Sequence, residues 1–586
     1  MAIFETPRLA RDDRDPDERR KQLDEAREKF RFNYTTIDQM PISETVPDEA
    51  VAGAEWKLKL VAIAYKNRRN LEAILKDKPY VFEKELPHKN PIEIAKMLID
   101  GDLVSFLNYC QPSLGVVTNQ IRPQSFEEYY DYFKKIDIPK SSSTLFDDRD
   151  FTEYFLSGMN PLLIERVKEL DLQKFPVSDH HLQAVPGFAT DTLDQALAAG
   201  RLFIIDYEAL SSLEPGTHPY GAKLVYAPII LFAVHPETDE LHVIAIQTGQ
   251  DPSVYPIFTP SATWSWTAAK LVCKSADGNY HEFVSHLGMT HLLIEPIIVA
   301  TYRQLPRIHP IHCLLVPHFE GTIPINAIAT RRLLSPDGDV AQLLAGTIPS
   351  GYAMLRALRN AASFKDGYLP KALERRGVEP GSALKHYPYR DDALLVWDAI
   401  KAWAEAYVRA YYKNDSDVAT DEELQAWAQE VVEAGRIQGF GTDGQILDRA
   451  ELVDTLTMII FTASAQHAAV NFPQLDASLV SVQPGAGYAD APTRFDLTKE
   501  DLVDFLPPVD RAIKQVHIMS MLGSTYYTQL GKYHLGAFKD LWILDDILRF
   551  QSQLRKVEDT IKQRNKQRRK PYTHLLPSNI PNSINI

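Results

Sequence analysis

His286 and His291 stand five residues apart inside a long apolar run of a 586-residue chain. From Tyr280 to Arg303 that run carries no turn signal except Pro296, so its pattern predicts a buried helix. In a regular α-helix, a separation of five turns one side chain about 140° from the other, at 3.6 residues per turn. Two histidines so placed cannot share a small ligand. A single wide π-turn brings them onto one face, and such turns favour functional sites. The pair by itself leaves two readings open: buried, hydrogen-bonded imidazoles, or metal ligands on an irregular helix. His467 and Asn471, in FTASAQHAAVNF, are four apart, so an ordinary helix sets both on one face. The residues around them are apolar, and a buried Asn needs partners. The chain closes on PSNIPNSINI. Most chain ends fray, but an apolar last residue, Ile586, suits an end tucked inside, and a buried terminal carboxylate needs a cation. Three imidazoles, one amide oxygen and one carboxylate form a donor set of nitrogen and oxygen alone, which suits iron or manganese.

The combined pattern resembles that of a lipoxygenase. SHLGMTH at 285–291, EP at 295–296, RQLPRIHPI at 303–311, SAQHAAVNF at 464–472 and the closing PNSINI at 581–586 match the family's motifs. GMNP at 158–161 and GRLFIIDY at 200–207 are similar too, so the resemblance covers roughly residues 120–586. It implies that His286, His291, His467, Asn471 and the Ile586 carboxylate bind one non-haem iron, with manganese as the runner-up. Glu282 and Gln474 fall where relatives often carry amides that link the ligand helix to the substrate cavity. One of them is an acid here, so a neutral, protonated Glu282 has to be considered, beside the plain alternative of a solvated helix-end residue. Leu333 and Ile518 resemble the leucines that clamp the reactive methylene. Ala329, in INAIAT, matches the position where Ala accompanies S products and Gly accompanies R products. The implied reaction inserts O2 into a polyunsaturated fatty acid with a cis,cis-1,4-diene, of the linoleate, linolenate or arachidonate type, giving a hydroperoxide. A metal-bound hydroxide takes the hydrogen, and no protein group does. Some plant relatives place an Arg for the substrate carboxylate in a turn after HAAxN; this chain reads VQPG there, with Gln483. That departure predicts loose head-group selection that extends to esterified lipids. The alternatives are a manganese enzyme, a hydroperoxide-converting variant, and a non-catalytic lipid- or membrane-binding protein with a vestigial metal site.

The elements that must position these groups are mainly α. At 45% hydrophobic the chain can bury a large core, and its length alone suggests several domains. Donors spread from 286 to 586 argue instead for one large helical catalytic domain, expected at 81–586, with a small β-sheet and central metal-bearing helices that include a π-turn. A helical extension is expected at 1–80, in place of the β-sandwich with which many lipoxygenases start. Its first 15 or so residues are charged and expected to be disordered. Residues 54–76 are amphipathic, with Trp56, Leu60, Ile63, Ala64, Leu71, Ile74 and Leu75 at helical spacing. Docking on the catalytic body is the expected role of that face, and peripheral contact with a membrane surface is the alternative. Strands are predicted within 201–247, in RLFIIDY, KLVYAPIILFAV and ELHVIAIQ, with a hairpin-like PETDE link. Long helices are predicted at 390–412 and 540–566. His309, His312 and His318 read as structural, and the acidic run DDRD at 147–150 as a solvated face. A net charge of −15 argues against a nucleic-acid partner. Cys110, Cys273 and Cys313 make no disulfide framework. The charged start has no apolar core for a signal peptide, and no run of 18 apolar residues exists to span a bilayer. A cytoplasmic protein is therefore expected.

Overall fold

The computed structural model describes every residue except 1–5, 80–81, 100–101, 113–122, 124, 140–143, 145, 219–220, 337, 478–484 and 535. Its axis is one continuous rod: an α-helix Thr263–Tyr280, a π-helix His281–His291 and an α-helix Leu292–Gln304. Apolar residues face every side of the rod, so it is buried all round. By length and composition it could cross a bilayer, but 89% of its most apolar window lies inside the fold; it is a core helix. Pro296 removes an N–H from the rod and frees the carbonyl of Leu292. Arg359 Nη1 takes that carbonyl at 3.1 Å, and burial brings this guanidinium down to about 10. The π-helix is crossed closely by the helix Ile348–Ala361. A Cβ on Gly288 would lie 2.1 Å from Leu355 Cδ1, and one on Gly351 2.2 Å from Phe283. Two glycines facing two large side chains set the approach.

A second helix lies against the first. It runs as α from Arg449 to Phe461, as π over Thr462–Gln466, then as α over His467–Asn471. The expected ordinary helix here therefore carries its own π segment just before His467. Long helices span Pro388–Tyr411 and Leu544–Asn565. The structure is 56% helical, and among the described residues the largest sheet has five antiparallel strands in the order Glu165–Arg166, Leu202–Asp206, Ile229–Val234, Leu241–Gln247 and Ile257–Phe258. The strand expected from Lys223 begins only at Ile229, after Pro228, which has no N–H for a ladder.

Two expectations for charged segments are corrected. Residues 6–13 are anchored at several points, although Ala10, Arg11 and Asp12 stay exposed: Arg8 N donates to Ile308 O at 2.8 Å, Leu9 is 3% exposed, and Asp13 accepts from Arg8 (2.9 Å) and Arg19 (3.1 Å). Arg11 and Arg19 also pair with Asp417 and Glu423, on a distant stretch that composition alone could not match to them. The DDRD run is a solvated face only in part: Asp147 and Arg149 are exposed, and Asp148 and Asp150 turn inward. Asp147 caps the helix Asp148–Ser157, Asp148 accepts from Trp266 Nε1 at 2.8 Å, and buried Asp150 pairs with Lys570 at 2.7 Å and with Arg569.

The helix Ala54–Asp77 turns Trp56, Leu60, Ala64, Leu71 and Ile74 into the core. Asn67 Nδ2 donates to His517 O and Asn70 Nδ2 to Tyr132 O, both at 2.8 Å. Its outer face exposes Leu58 and Tyr65 beside Lys57 and Lys66.

Candidate metal centre

The π-helix turns residues five apart onto one face, since its hydrogen bonds run i to i+5. His286 and His291 therefore meet, with Nε2 atoms 3.3 Å apart, and His467 Nε2 approaches His291 Nε2 to 3.2 Å from the second helix. One ligand nitrogen from each of the three lies within 4.8 Å of the others. All three rings are buried. Burial, then neighbouring His286, pushes His291 down to about 3. Burial also lowers His286 against the pull of Glu282, and lowers His467 strongly with help from His291 and His286. The cluster is neutral at ordinary pH, which is the form that binds metal.

The surroundings fix which ring nitrogens carry protons. Asn326 Nδ2 donates to Glu295 Oε2 at 2.7 Å, which leaves Asn326 Oδ1 pointing at His291 Nδ1, 2.6 Å away. An amide oxygen only accepts, so the proton sits on Nδ1 and the lone pair on Nε2. His286 Nδ1 faces Glu282 Oε2 at 3.4 Å with the same consequence. Two lone pairs are thus aimed at each other across 3.3 Å. A cation between them accepts both, and the third imidazole as well. The donors present fit a bound metal ion.

The chain end lies beside the group. Ile586 is 3% exposed, lines the same cavity as His286 and His291, and its backbone oxygen acts on His467. The polar residues of the tail explain why the end stays buried. His318 Nδ1 pairs with Asn582 O at 2.8 Å, Ser583 Oγ donates to Glu320 O at 2.7 Å, and Thr322 Oγ1 donates to Ile584 O at 2.8 Å. Trp56 Nε1 reaches from the N-terminal helix to Asn585 O at 2.6 Å. Gly321, at φ +83, passes so close that a Cβ there would lie 3.1 Å from Asn585 Cβ. Asn471 is buried one turn beyond His467; its Nδ2 donates to Leu522 O at 2.8 Å and its Oδ1 accepts from Gln474 Nε2 at 3.1 Å.

Glu282 is corrected from the protonated form considered above. Burial alone would raise its carboxyl, but His281, then His286, hold it well below the carboxylate range. His281 is itself raised, by Glu282, despite the cost of its burial. The two form an ion pair at 3.4 Å, with His281 Nε2 on Val470 O at 2.8 Å. The neighbour that decides the charge of Glu282 is a histidine that sequence reasoning missed. Its signal was available: 281, 286 and 291 repeat at five residues, the period of the π-turn itself. Glu295 was visible only as half of a motif, and Asn326 not at all. His309 accepts from Ile311 N at 3.1 Å, capping its own helix, and His312 pairs with Leu305 O at 2.9 Å; neither joins the three-imidazole cluster.

Ala329, Leu333 and Ile518 lie in the wall of one apolar cavity with Glu282, His286, His291 and Ile586. Leu60 and Leu107, from helices near the N-terminus, line it too. Gln483 lies outside the described residues.

Known proteins agree with this geometry. The family model for lipoxygenases matches residues 103–574. A linoleate 9/13-lipoxygenase of Pseudomonas aeruginosa is 40% identical over 84% of this chain and 73% of its own length. The human polyunsaturated fatty acid lipoxygenase ALOX15B is 33% identical over 75% of this chain and 66% of its own. Among solved structures, coral 8R-lipoxygenase superposes with a TM-score of 0.83 at 27% identity, covering 99% of this chain and 83% of that one. The Delta413-417:GS lipoxygenase in complex with arachidonate gives a TM-score of 0.84 at 27% identity, with the same coverage of 99% and 83%. With the family's motifs set around three converging imidazoles and a buried chain end, the chain belongs to the lipoxygenase family of dioxygenases.

Proposed function

We propose that this chain is an iron-dependent dioxygenase that inserts O2 into polyunsaturated fatty acids bearing a cis,cis-1,4-diene, giving lipid hydroperoxides. The observation that carries the reading is the cavity. Its wall is mostly apolar and includes His286, His291 and Ile586. His286, His291, His467, Asn471 and the Ile586 carboxylate would hold the metal, whose contribution when bound is one-electron chemistry at the weak doubly allylic C–H bond. The chain's own residues do the rest. Asn326 orients His291, Glu282 orients His286, and Gln474 holds the Asn471 oxygen. The apolar wall holds a hydrocarbon chain and keeps water away, with Leu333 and Ile518 beside the reacting methylene and Ala329 favouring S products. Relatives named for linoleate and for polyunsaturated fatty acids, and a neighbour solved with arachidonate, support this substrate class.

We further propose a cytoplasmic protein in which residues 1–80 form a helical extension docked on a catalytic domain at 81–586. The exposed face around Leu58 and Tyr65 supplies a route to peripheral membrane contact. The test is oxygen uptake with linoleate by purified protein whose metal is identified by mass spectrometry. Uptake with iron bound supports the proposal. Uptake with manganese alone points to the manganese enzyme, and no uptake by metal-loaded protein leaves a lipid-binding protein with a vestigial site.

A further inference from the structure

Away from the metal end, Arg332 is the only charged residue in the cavity wall among the described residues. It ends the helix Thr322–Arg332. Asn326, which holds His291, is six residues earlier, so Arg332 stands about 9 Å further along the axis at 1.5 Å per residue. Its guanidinium is buried. Nη2 donates to Gln111 Oε1 at 2.7 Å, Nε donates to Asn108 Oδ1 at 3.2 Å, and the ion pair with Asp339 Oδ2 is 3.1 Å. Behind it opens a second, polar hollow lined by Asn108, Gln111, Arg331, Asp339 and Lys514, with Arg332 common to both. Lys514 Nζ also sits on Asp339, at 2.5 Å. Arg331 is exposed and makes no ion pair among the described residues. One carboxylate therefore stands among three cations. A buried guanidinium at the junction of an apolar cavity and a positively charged hollow suits an anionic group carried on an apolar chain.

We propose that Arg332 anchors the head group: a fatty acid lies with its chain in the cavity and its carboxylate on the Arg332 fork, in exchange for Gln111 and Asp339, with Arg331 and Lys514 adding positive field. A planar guanidinium matches a carboxylate through two parallel hydrogen bonds. An ester offers no charge there, so the anchor selects free acids. It thus opposes the ester tolerance expected from Gln483. The inference rests on reading the cavity as a fatty-acid site.

Oleate separates binding from turnover, because it has no 1,4-diene to be oxidised. Its affinity for the metal-loaded full chain is measured by displacement of a fluorescent fatty acid, with methyl oleate as the uncharged control. Oleate is expected to bind at least tenfold more tightly than methyl oleate. Arg332→Gln is expected to weaken oleate by about 10- to 150-fold, the range for a charge-assisted hydrogen bond, and to leave methyl oleate unchanged. Asp339→Asn removes the internal competitor and should tighten oleate alone, whereas a merely structural pair predicts the opposite sign. Equal loss of both ligands in Arg332→Gln, or oleate binding that is weaker or unchanged in Asp339→Asn, overturns the anchor. Failure of native protein to take up oxygen with linoleate would instead overturn the dioxygenase reading and leave these affinities standing.

Discussion

Glu295 would act on a metal held by His291 from two residues away. Ser43 N donates to its Oε1 at 2.8 Å, Asn326 Nδ2 to its Oε2 at 2.7 Å, and His291 Nδ1 to Asn326 Oδ1 at 2.6 Å. Glu295→Gln replaces one acceptor oxygen by an NH2 group. In either rotamer one of the two buried donors then faces another donor, which costs roughly 1–3 kcal/mol. Once Asn326 is untethered it can turn, and His291 loses the oxygen that fixes its tautomer. Partners of this kind carry about 10–100-fold in metal affinity, or roughly 1.4–2.7 kcal/mol. Asn326→Ala should cost at least as much. The two changes cut one path, so the double variant should fall short of their sum by about 1 kcal/mol. The assay is metal affinity by competition with a chelator, in wild type, both singles and the double. Additivity, or a Glu295→Gln protein that binds metal like wild type while Asn326→Ala does not, would refute the relay. A pH signature accompanies it. Burial pushes the Glu295 carboxyl up to about 7, so the folded chain holds a proton that the unfolded chain releases near 4.5. That contribution to stability is complete below the ordinary range and is lost as pH rises through about 7, at most roughly 3 kcal/mol. In Glu295→Gln this slope should be missing from urea unfolding measured at pH 5 and pH 8.

Adding one glycine after Ile586 displaces the terminal carboxylate; metal affinity by chelator competition should fall by more than about tenfold. Gly288→Ala drives a Cβ into Leu355 and should lower stability by about 1–3 kcal/mol, with Leu355→Ala restoring part of it. Burial would raise Asp421, but His309 and Tyr412 hold it at about 2. Its contribution, roughly 2 kcal/mol, is full above the ordinary carboxylate range and fades as pH falls toward 2, so the gap in urea midpoint between wild type and Asp421→Asn should narrow from pH 7 to pH 3.

The clustering of the candidate ligand histidines was legible because metal chemistry tolerates few residue types and the spacing of His286 and His291 is local. His286 and His291 at five, with a π-turn to reconcile them, and a chain ending on a buried Ile586 could all be read before any coordinates. Docking of residues 54–76 was legible for the same reason, since periodicity records which face is buried. What periodicity cannot record is the partner. Asn326 lies 35 residues from His291 and no pattern joins them. Arg19 reaches Glu423 across 404 residues, so a charged start that looks unfoldable by composition is neutralised by a helix far downstream. The two forms considered for Glu282, protonated or solvated, left out the paired one because His281 was overlooked. A buried acid is neutral or paired, and only the position of His281 says which.

The same long-range contacts give the N-terminal segment a place in the chemistry. Three of its residues touch the site by different means: Ser43 donates to Glu295, Trp56 holds the carbonyl of Asn585, and Leu60 forms part of the cavity wall. The first steadies a histidine, the second steadies the terminal carboxylate, and the third shapes the space for substrate. Ile586 lies beside the three histidines. Hydrogen bonds to the tail hold it there, and one of the shortest of them comes from a tryptophan 529 residues away. Packing of the helix Ala54–Asp77 would therefore be coupled to the geometry of a metal held beside Ile586, so a ligand or surface that loosened this helix would act on that site through Asn585 and on the cavity through Leu60 at once.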